Sequence, residues 1–313
     1  MLMELTILGT ASAMPVRDRH FSAAVLRYEG AVLLFDCGEG TQFQMLRAGV
    51  KSPRIDAVFI THFHGDHFYG LVGLLSTMSL LRYEGRLRIV GPRGLAAAVY
   101  ATPGLGRNGL PFEIEFVELD EGFGRAVVYE TDAFAVTARP LEHSIFTAGY
   151  RFEEKPRPGT LDVEKARALG VTDYAHYRAL KAGHAVTLPG GRVVAPEEVV
   201  GPPKPGRSFA YVTDTRPCEG GRLLAREADL LYHEATFTED RLERALKTKH
   251  ATAREAAAVA KAARAKRLLI GHFSARYADL EPLLIEAREV FENTETAEEL
   301  RRYVFESVAE EKT

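Results

Sequence analysis

The chain is poor in cysteine: Cys37 and Cys218 are the two among 313 residues, without C-x-x-C spacing. That excludes a disulfide framework and a cysteine zinc site as its organising element. No run approaches 18 apolar residues, so nothing reads as a transmembrane span. The opening MLMELTILGTASAMP lacks the basic start and long apolar stretch of a signal peptide. The expectation is a cytoplasmic protein without membrane association. There is no internal repeat, and no low-complexity tract apart from one alanine-rich helical segment. Excess charge is lacking too: 40 Lys/Arg against 43 Asp/Glu leave a formal charge of −3. This argues against a non-specific polyanion binder and leaves room for a local basic surface. At 46% hydrophobic and 27% charged the composition is that of a globular protein, long enough for a large core in one or two domains.

What is present is a succession of short apolar runs. Those at 5–8 and 24–26, AVLLF at 31–35, AVFIT at 57–61, and 87–90 and 113–117 read as strands. Segments 41–48 and 94–100 have helical patterns, and FYGLVGLLSTMSLLR at 68–82 suits one buried helix. Further on, FAYVT at 209–213, 230–233 and RLLIG at 267–271 read as strands. The alanine-rich helix over 250–266 has a marked start, a capping box of Thr252 and Glu255. Such alternation indicates a layered α/β architecture. Residues 151–207 differ, with seven prolines, ten Lys/Arg against seven Asp/Glu, and GPPKPG at 201–206 as a stiff hinge. They read as an arm inserted into the main fold, with an ordinary long surface insertion as the alternative.

The strongest chemical signal is THFHGDH, His62, His64, Asp66 and His67 directly after AVFIT. In an extended segment the imidazoles of His62 and His64 project to one side. Gly65 lets the chain turn, bringing Asp66 and His67 to a second position nearby. Imidazole and carboxylate without thiolate suit zinc and related first-row ions. One catalytic metal needs three protein ligands, so four in one run suggest two metals and further ligands elsewhere. His143, Asp214 and His272 are the candidates, since each follows an apolar strand that delivers a polar residue to one rim of a sheet. Asp36, after AVLLF, ends a strand the same way and reads as a partner that orients a ligand histidine, or as a cap of the next turn.

These residues together resemble the metallo-β-lactamase superfamily, and further motifs resemble its ribonuclease Z branch, endonucleases that remove 3′ trailers from precursor tRNA. FDCGEGTQ at 35–42 is similar to that family's DxGEGTQ segment, and His233-Glu234-Ala235-Thr236 to its HEAT motif. His250-Ala251-Thr252 resembles HST, while GYRF at 149–152 and RPG at 157–159 resemble the entry to its arm. The resemblance implies a four-layer αββα sandwich over 1–313 with a flexible tRNA-binding arm at 152–206. It implies two zinc ions per subunit, manganese being possible. His62, His64 and His143 would hold one and Asp66, His67 and His272 the other, with Asp214 bridging. Asp66 would accept the proton of the attacking water. His250, kept charged by Glu234, would protonate the departing ribose 3′-oxygen. It also implies a homodimer in which one subunit's arm grips tRNA cleaved in the partner's site.

Two segments depart from the pattern. The loop PVRDRH at 15–20 resembles PxKxRN with arginine for lysine and histidine for asparagine; phosphate contact at Arg17 or Arg19 is still expected. VTDYAHY at 171–177 stands where many members carry a Gly-Pro pair. Lys155, Arg157, Arg178 and Lys181, with Tyr174 and Tyr177 among them, are the arm's candidate RNA contacts. A solvated mixed-charge helix face is the alternative there. Two other functions stay open at this stage: another hydrolase of the same fold acting on a small phosphodiester, lactone or thioester, and a non-catalytic zinc RNA-binding protein.

Overall fold

The computed structural model describes residues 2–106 and 109–305. Its first half contains β1 (Met3–Gly9), β2 (Ala23–Tyr28), β3 (Ala31–Phe35), β4 (Ala57–Phe59), β5 (Arg86–Pro92) and β6 (Glu113–Leu119). After these come β7 (Ala126–Glu130), β8 (Phe134–Pro140), β9 (Ala148–Glu154), and the two-residue strands β10 (Val186–Thr187) and β11 (Val193–Val194). The chain then forms β12 (Ser208–Val212), β13 (Leu230–Glu234), β14 (Leu268–Gly271), β15 (Thr294–Thr296) and β16 (Arg302–Val304). One seven-stranded sheet has the order β16-β1-β2-β3-β4-β5-β6, the other β15-β14-β13-β12-β9-β8-β7. In each, the strands that matter for the site are parallel: β3 to β6 in the first, β12 to β15 in the second.

Period-two alternation explains the layers. In β3 and β4, Leu34 and Val58 face outward onto helices through Met45, Leu71, Leu74 and Met78. Their neighbours Phe35 and Phe59 face the other sheet, with Phe35 5.5 Å from Phe209 and 5.7 Å from Tyr211, and Phe59 5.3 Å from Tyr150, ring centre to ring centre. In the second sheet Val212, Leu231 and Ile270 face outward onto the alanine-rich helix through Ala256, Ala257 and Ala260. The expected αββα sandwich is therefore what forms. Near its active rim the two halves are tied by the Ala148 amide donating to the Thr61 carbonyl at 3.0 Å and the buried Tyr150 hydroxyl donating to Ile60 O at 2.6 Å.

Two readings need adjustment. The apolar stretch 68–82 is not one helix but Gly65–Phe68 followed by Gly70–Leu80. Gly70 donates its amide to the Cys37 carbonyl at 2.9 Å, outside any helical pattern, and a Cβ there would lie 2.0 Å from Gly38 O. The alanine-rich helix is Ala253–Ala263, shorter than 250–266, and begins at the expected capping box. The chain divides into two compact units, the second formed chiefly by Glu153–Arg207. This second unit has its own apolar cluster of Ala166, Val171, Leu180, Val186, Leu188, Val194 and Val199, so the inserted stretch is folded. Its base holds a buried Glu154–Arg207 pair at 2.8 Å, and Gly159 and Gly206 sit where a Cβ would strike backbone carbonyls. Among the described residues no helix is long and apolar enough to cross a membrane.

Candidate metal centre

The ends of the parallel strands deliver the polar residues. β3 runs into Asp36, β4 into Thr61 and His62, β12 into Asp214, β13 ends on Glu234 and β14 runs into His272. Asp36, Asp214 and His272 have φ of 56°, 48° and 58°. Non-glycine residues in the left-handed region each cost on the order of 1 kcal/mol, and such strain concentrates at functional sites. The short helix Gly65–Phe68 contributes Asp66 and His67, and the turn after β8 contributes His143.

Two donor sets result. In the first, His62 Nε2 lies 3.0 Å from His64 Nδ1 and 3.5 Å from Asp214 Oδ2; His143 Nε2 lies 3.4 Å from His64 Nδ1 and 3.7 Å from Asp214 Oδ2. In the second, His67 Nε2 lies 3.2 Å from His272 Nε2, 3.4 Å from Asp66 Oδ2 and 3.2 Å from Asp214 Oδ1, with His272 Nε2 3.1 Å from Asp214 Oδ1. The two oxygens of Asp214 thus face different sets. Within each of the sets His62–His64–His143–Asp214 and Asp66–His67–His272, the ligand atoms fall within 4.8 Å of one another.

The outer nitrogens explain why these inner atoms are lone pairs. His67 Nδ1–H donates to Asp36 Oδ2 at 2.7 Å and His143 Nδ1–H to the Lys249 carbonyl at 3.0 Å. The Thr61 hydroxyl donates to Asp36 and so accepts from His62 Nδ1–H at 2.9 Å. The Thr236 hydroxyl donates to Glu234 and accepts from His272 Nδ1–H at 3.0 Å. Each of the four rings therefore turns an unprotonated Nε2 inward. Converging acceptors at such distances repel one another unless a cation lies between them, and the imidazole–carboxylate set fits divalent first-row metals. Asp214 is fully buried, so holding its carboxyl well below the usual range takes positive charge beside it, from protonated His272, His67 and His62 where no cation lies between them. Asp66 likewise needs a positive charge beside it, from a protonated His67 or a cation, to stay ionised despite burial.

Beside the second set, His250 Nδ1 lies 2.9 Å from Glu234 Oε1. Burial pulls the imidazole down, but the charge and hydrogen bond of Glu234 outweigh it and hold its pKa at about 9. Glu234 is itself fixed by the Thr215 amide at 2.8 Å and the Thr236 amide and hydroxyl at 3.2 and 2.7 Å. An open cleft of about 530 Å³ lies over these groups, walled by Ser12, Ala13, Phe21, Glu39, Tyr69 and Thr248.

The structure thus gathers His62, His64, Asp66, His67, His143, Asp214 and His272, with Asp36 behind His67 and His250 and Glu234 alongside. The basic candidates fare differently. Arg17 is exposed, whereas Arg19 donates to the carbonyls of Tyr277 and Ser274 at 2.7 and 3.1 Å, an anchoring role. Within the arm, Arg178 and Lys181 are exposed on one helix, Lys155 is half-buried, and Arg157 pairs with Glu154 at 3.2 Å. The sequence reading missed Thr61, Thr236 and the Ala13 amide, which donates to Asp66 Oδ2 at 2.7 Å. Their adjacency to His62 and membership in HEAT are the signals for the two threonines. The backbone amide carries none.

Comparison with known proteins agrees with this geometry. Family models for the anti-Pycsar protein Apyc1 and for a beta-lactamase superfamily domain match residues 3–105 and 172–273. The ribonuclease Z of Salinibacter ruber is 53% identical over 304 residues, covering 97% of this chain and 94% of that one. That of Methanosarcina acetivorans is 43% identical over 300 residues, covering 96% and 97%. The crystal structure of human tRNase Z, short form, superimposes with a TM-score of 0.70 at 31% identity, covering 96% and 98%. With two full-length relatives above two-fifths identity and the strand-end cluster in place, the chain belongs to the ribonuclease Z family, endoribonucleases of the metallo-β-lactamase fold.

Proposed function

We propose that the chain is a zinc-dependent, cytoplasmic endoribonuclease that removes the 3′ trailer from precursor tRNA by phosphodiester hydrolysis, leaving a 3′-hydroxyl on the tRNA. The observation that carries this reading is the pair of donor sets sharing Asp214, in a chain of this family. His62, His64 and His143 would hold one zinc, and Asp66, His67 and His272 the other; manganese would suit the same donors. Two such ions supply Lewis-acid chemistry, lowering the pKa of water and offsetting charge on the diester's transition state.

The protein's own groups do the rest. Asp66, ionised and tied by the Ala13 amide, lines the cleft and accepts the proton of the attacking water. His250, charged through Glu234, also lines it and donates a proton to the departing ribose 3′-oxygen. Arg17 at the cleft's loop and Lys155, Arg157, Arg178 and Lys181 in residues 152–206, with exposed Tyr174, are the proposed contacts to the tRNA backbone and bases. Arg19 would act there only through the loop it anchors. A homodimer is supported by exposed Phe43, Leu46 and Leu80, at 63%, 78% and 84% exposure on two helices packed against each other. Sedimentation at about twice the 34.6 kDa chain mass checks this.

The deciding experiment is cleavage of two precursor tRNAs, with and without encoded CCA, mapped to the nucleotide with and without chelator. Chelator-sensitive cuts at the 3′ end of the mature tRNA are expected. Intact precursors, together with hydrolysis of a small phosphodiester, would overturn the substrate assignment.

A further inference from the structure

The carboxylate of Glu299 collects five hydrogen-bond donors. Its Oε1 accepts from the Thr10 amide at 3.1 Å, the Thr10 hydroxyl at 3.2 Å and the His20 amide at 2.7 Å. Its Oε2 accepts from His20 Nδ1–H at 2.7 Å and the Gln44 side-chain amide at 3.0 Å. The Arg47 guanidinium approaches His20 Nε2 at 3.4 Å, which leaves Nδ1 as the protonated nitrogen turned to Glu299.

Thr10 and His20 are the two stems of one loop, closed where the Thr10 and Ala11 amides donate to the His20 carbonyl at 2.9 and 2.8 Å. At its turn Ala13, in the left-handed region with φ 49°, aims its amide at Asp66 Oδ2, 2.7 Å away. The same loop is joined to the residue after His272: Phe273 N–H donates to Thr10 O at 2.7 Å and Ser12 N–H to Phe273 O at 3.1 Å. Most of this loop lies outside regular strand and helix, so side-chain bonds must fix its shape. Bonds to an ionised acceptor are roughly twice as strong as neutral ones. Removing this acceptor would orphan the hydroxyl of Thr10, which is almost fully buried, and leave its amide only the His20 carbonyl.

We propose that Glu299 is a positioning residue for hydrolysis. Through the loop between Thr10 and His20 it holds the Ala13 amide on the Asp66 carboxylate. The inference rests on the proposed role of Asp66. Its origin in the sequence is local: histidine at position 20 supplies the ring donor that faces Glu299.

The test uses the full-length, metal-loaded protein with Glu299→Ala and Glu299→Gln. Hydrogen exchange and bis-p-nitrophenyl phosphate kinetics are measured on both. In Glu299→Ala, amide exchange over residues 10–20 is expected to accelerate about tenfold while exchange in Ala253–Ala263 stays as in wild type. The kcat should fall about tenfold with KM within about twofold, the signature of a misplaced reacting group. Glu299→Gln keeps Oε1 for the Thr10 and His20 donors and should restore most of kcat. Unchanged exchange over 10–20, or a loosened loop with wild-type kcat, would overturn the proposal. If Glu299→Ala perturbs Ala253–Ala263 as well, His20→Ala is the gentler variant, removing only the ring donor and keeping the backbone amide on Glu299: a smaller rise in loop exchange with a smaller fall in kcat supports the clamp, and wild-type values of both overturn it. Should wild type cleave precursor tRNA but not the diester, kcat and KM are read on precursor tRNA; should it cleave neither, the functional reading fails, and exchange over 10–20 still decides whether Glu299 holds the loop.

Discussion

Imidazole orientation in this centre is decided from behind. Asp36 serves two candidate ligands at once, receiving His67 Nδ1–H and the Thr61 hydroxyl that in turn holds His62. Glu234 does the same for His250 and, through Thr236, for His272. His250 and His272 therefore share one buried carboxylate while facing the site in different roles. Replacing His250 with alanine is expected to lower turnover by about 10²- to 10⁴-fold while metal content stays near wild type. Elemental analysis beside steady-state kinetics checks this, and loss of metal together with activity would make His250 structural. The seven ligand candidates were legible because the run from His62 to His67, and His143, Asp214 and His272 singly, follow apolar runs that read as strands, and a strand's end is a rim. Arg19 was not, because a side chain that bonds the carbonyls of Ser274 and Tyr277 looks in sequence like any exposed arginine.

Single elements show where pattern reading succeeds and where backbone geometry overrules it. The start of helix Ala253–Ala263 was readable since Thr252 and Glu255 cap one another, the threonine hydroxyl accepting the Glu255 amide at 3.2 Å and the carboxylate accepting the Thr252 amide at 2.9 Å. That cap also sets the direction of the chain just after His250. Thr252→Ala should cost about 1 kcal/mol, seen as a lowered denaturant midpoint at unchanged slope. An unchanged midpoint would mean that the helix is held by its alanine face alone. The break at Tyr69 was not readable from hydrophobicity, because it follows from the Gly70 amide turning to Cys37 and from a close approach to Gly38 that only glycine permits. The arm was legible as an insertion by its prolines and charge, but its own core was not. Its seven buried residues are spread over 34 positions without sustained periodicity.

For the whole molecule, family membership removes one rival left open by the sequence, the non-catalytic zinc RNA-binding protein, and leaves the small-substrate hydrolase to the precursor-cleavage experiment. The resemblance motifs extended over nearly the full chain, and the full-length relatives agree. The proposed division of labour is that the main fold hydrolyses and residues 152–206 capture tRNA. Deleting about 155–200 should raise KM for precursor tRNA by about tenfold or more while sparing bis-p-nitrophenyl phosphate, compared by parallel kinetics. Equal loss on both substrates would count against a separate binding arm.

Metal stoichiometry coupled to cleavage tests the centre most directly. Protein stripped by chelator is titrated with zinc while bound metal and precursor cleavage are followed together. The account predicts two equivalents per chain, with cleavage restored as the second site fills and neither recovered in Asp214→Ala. Saturation at one equivalent, or undiminished cleavage by the stripped protein, would contradict it.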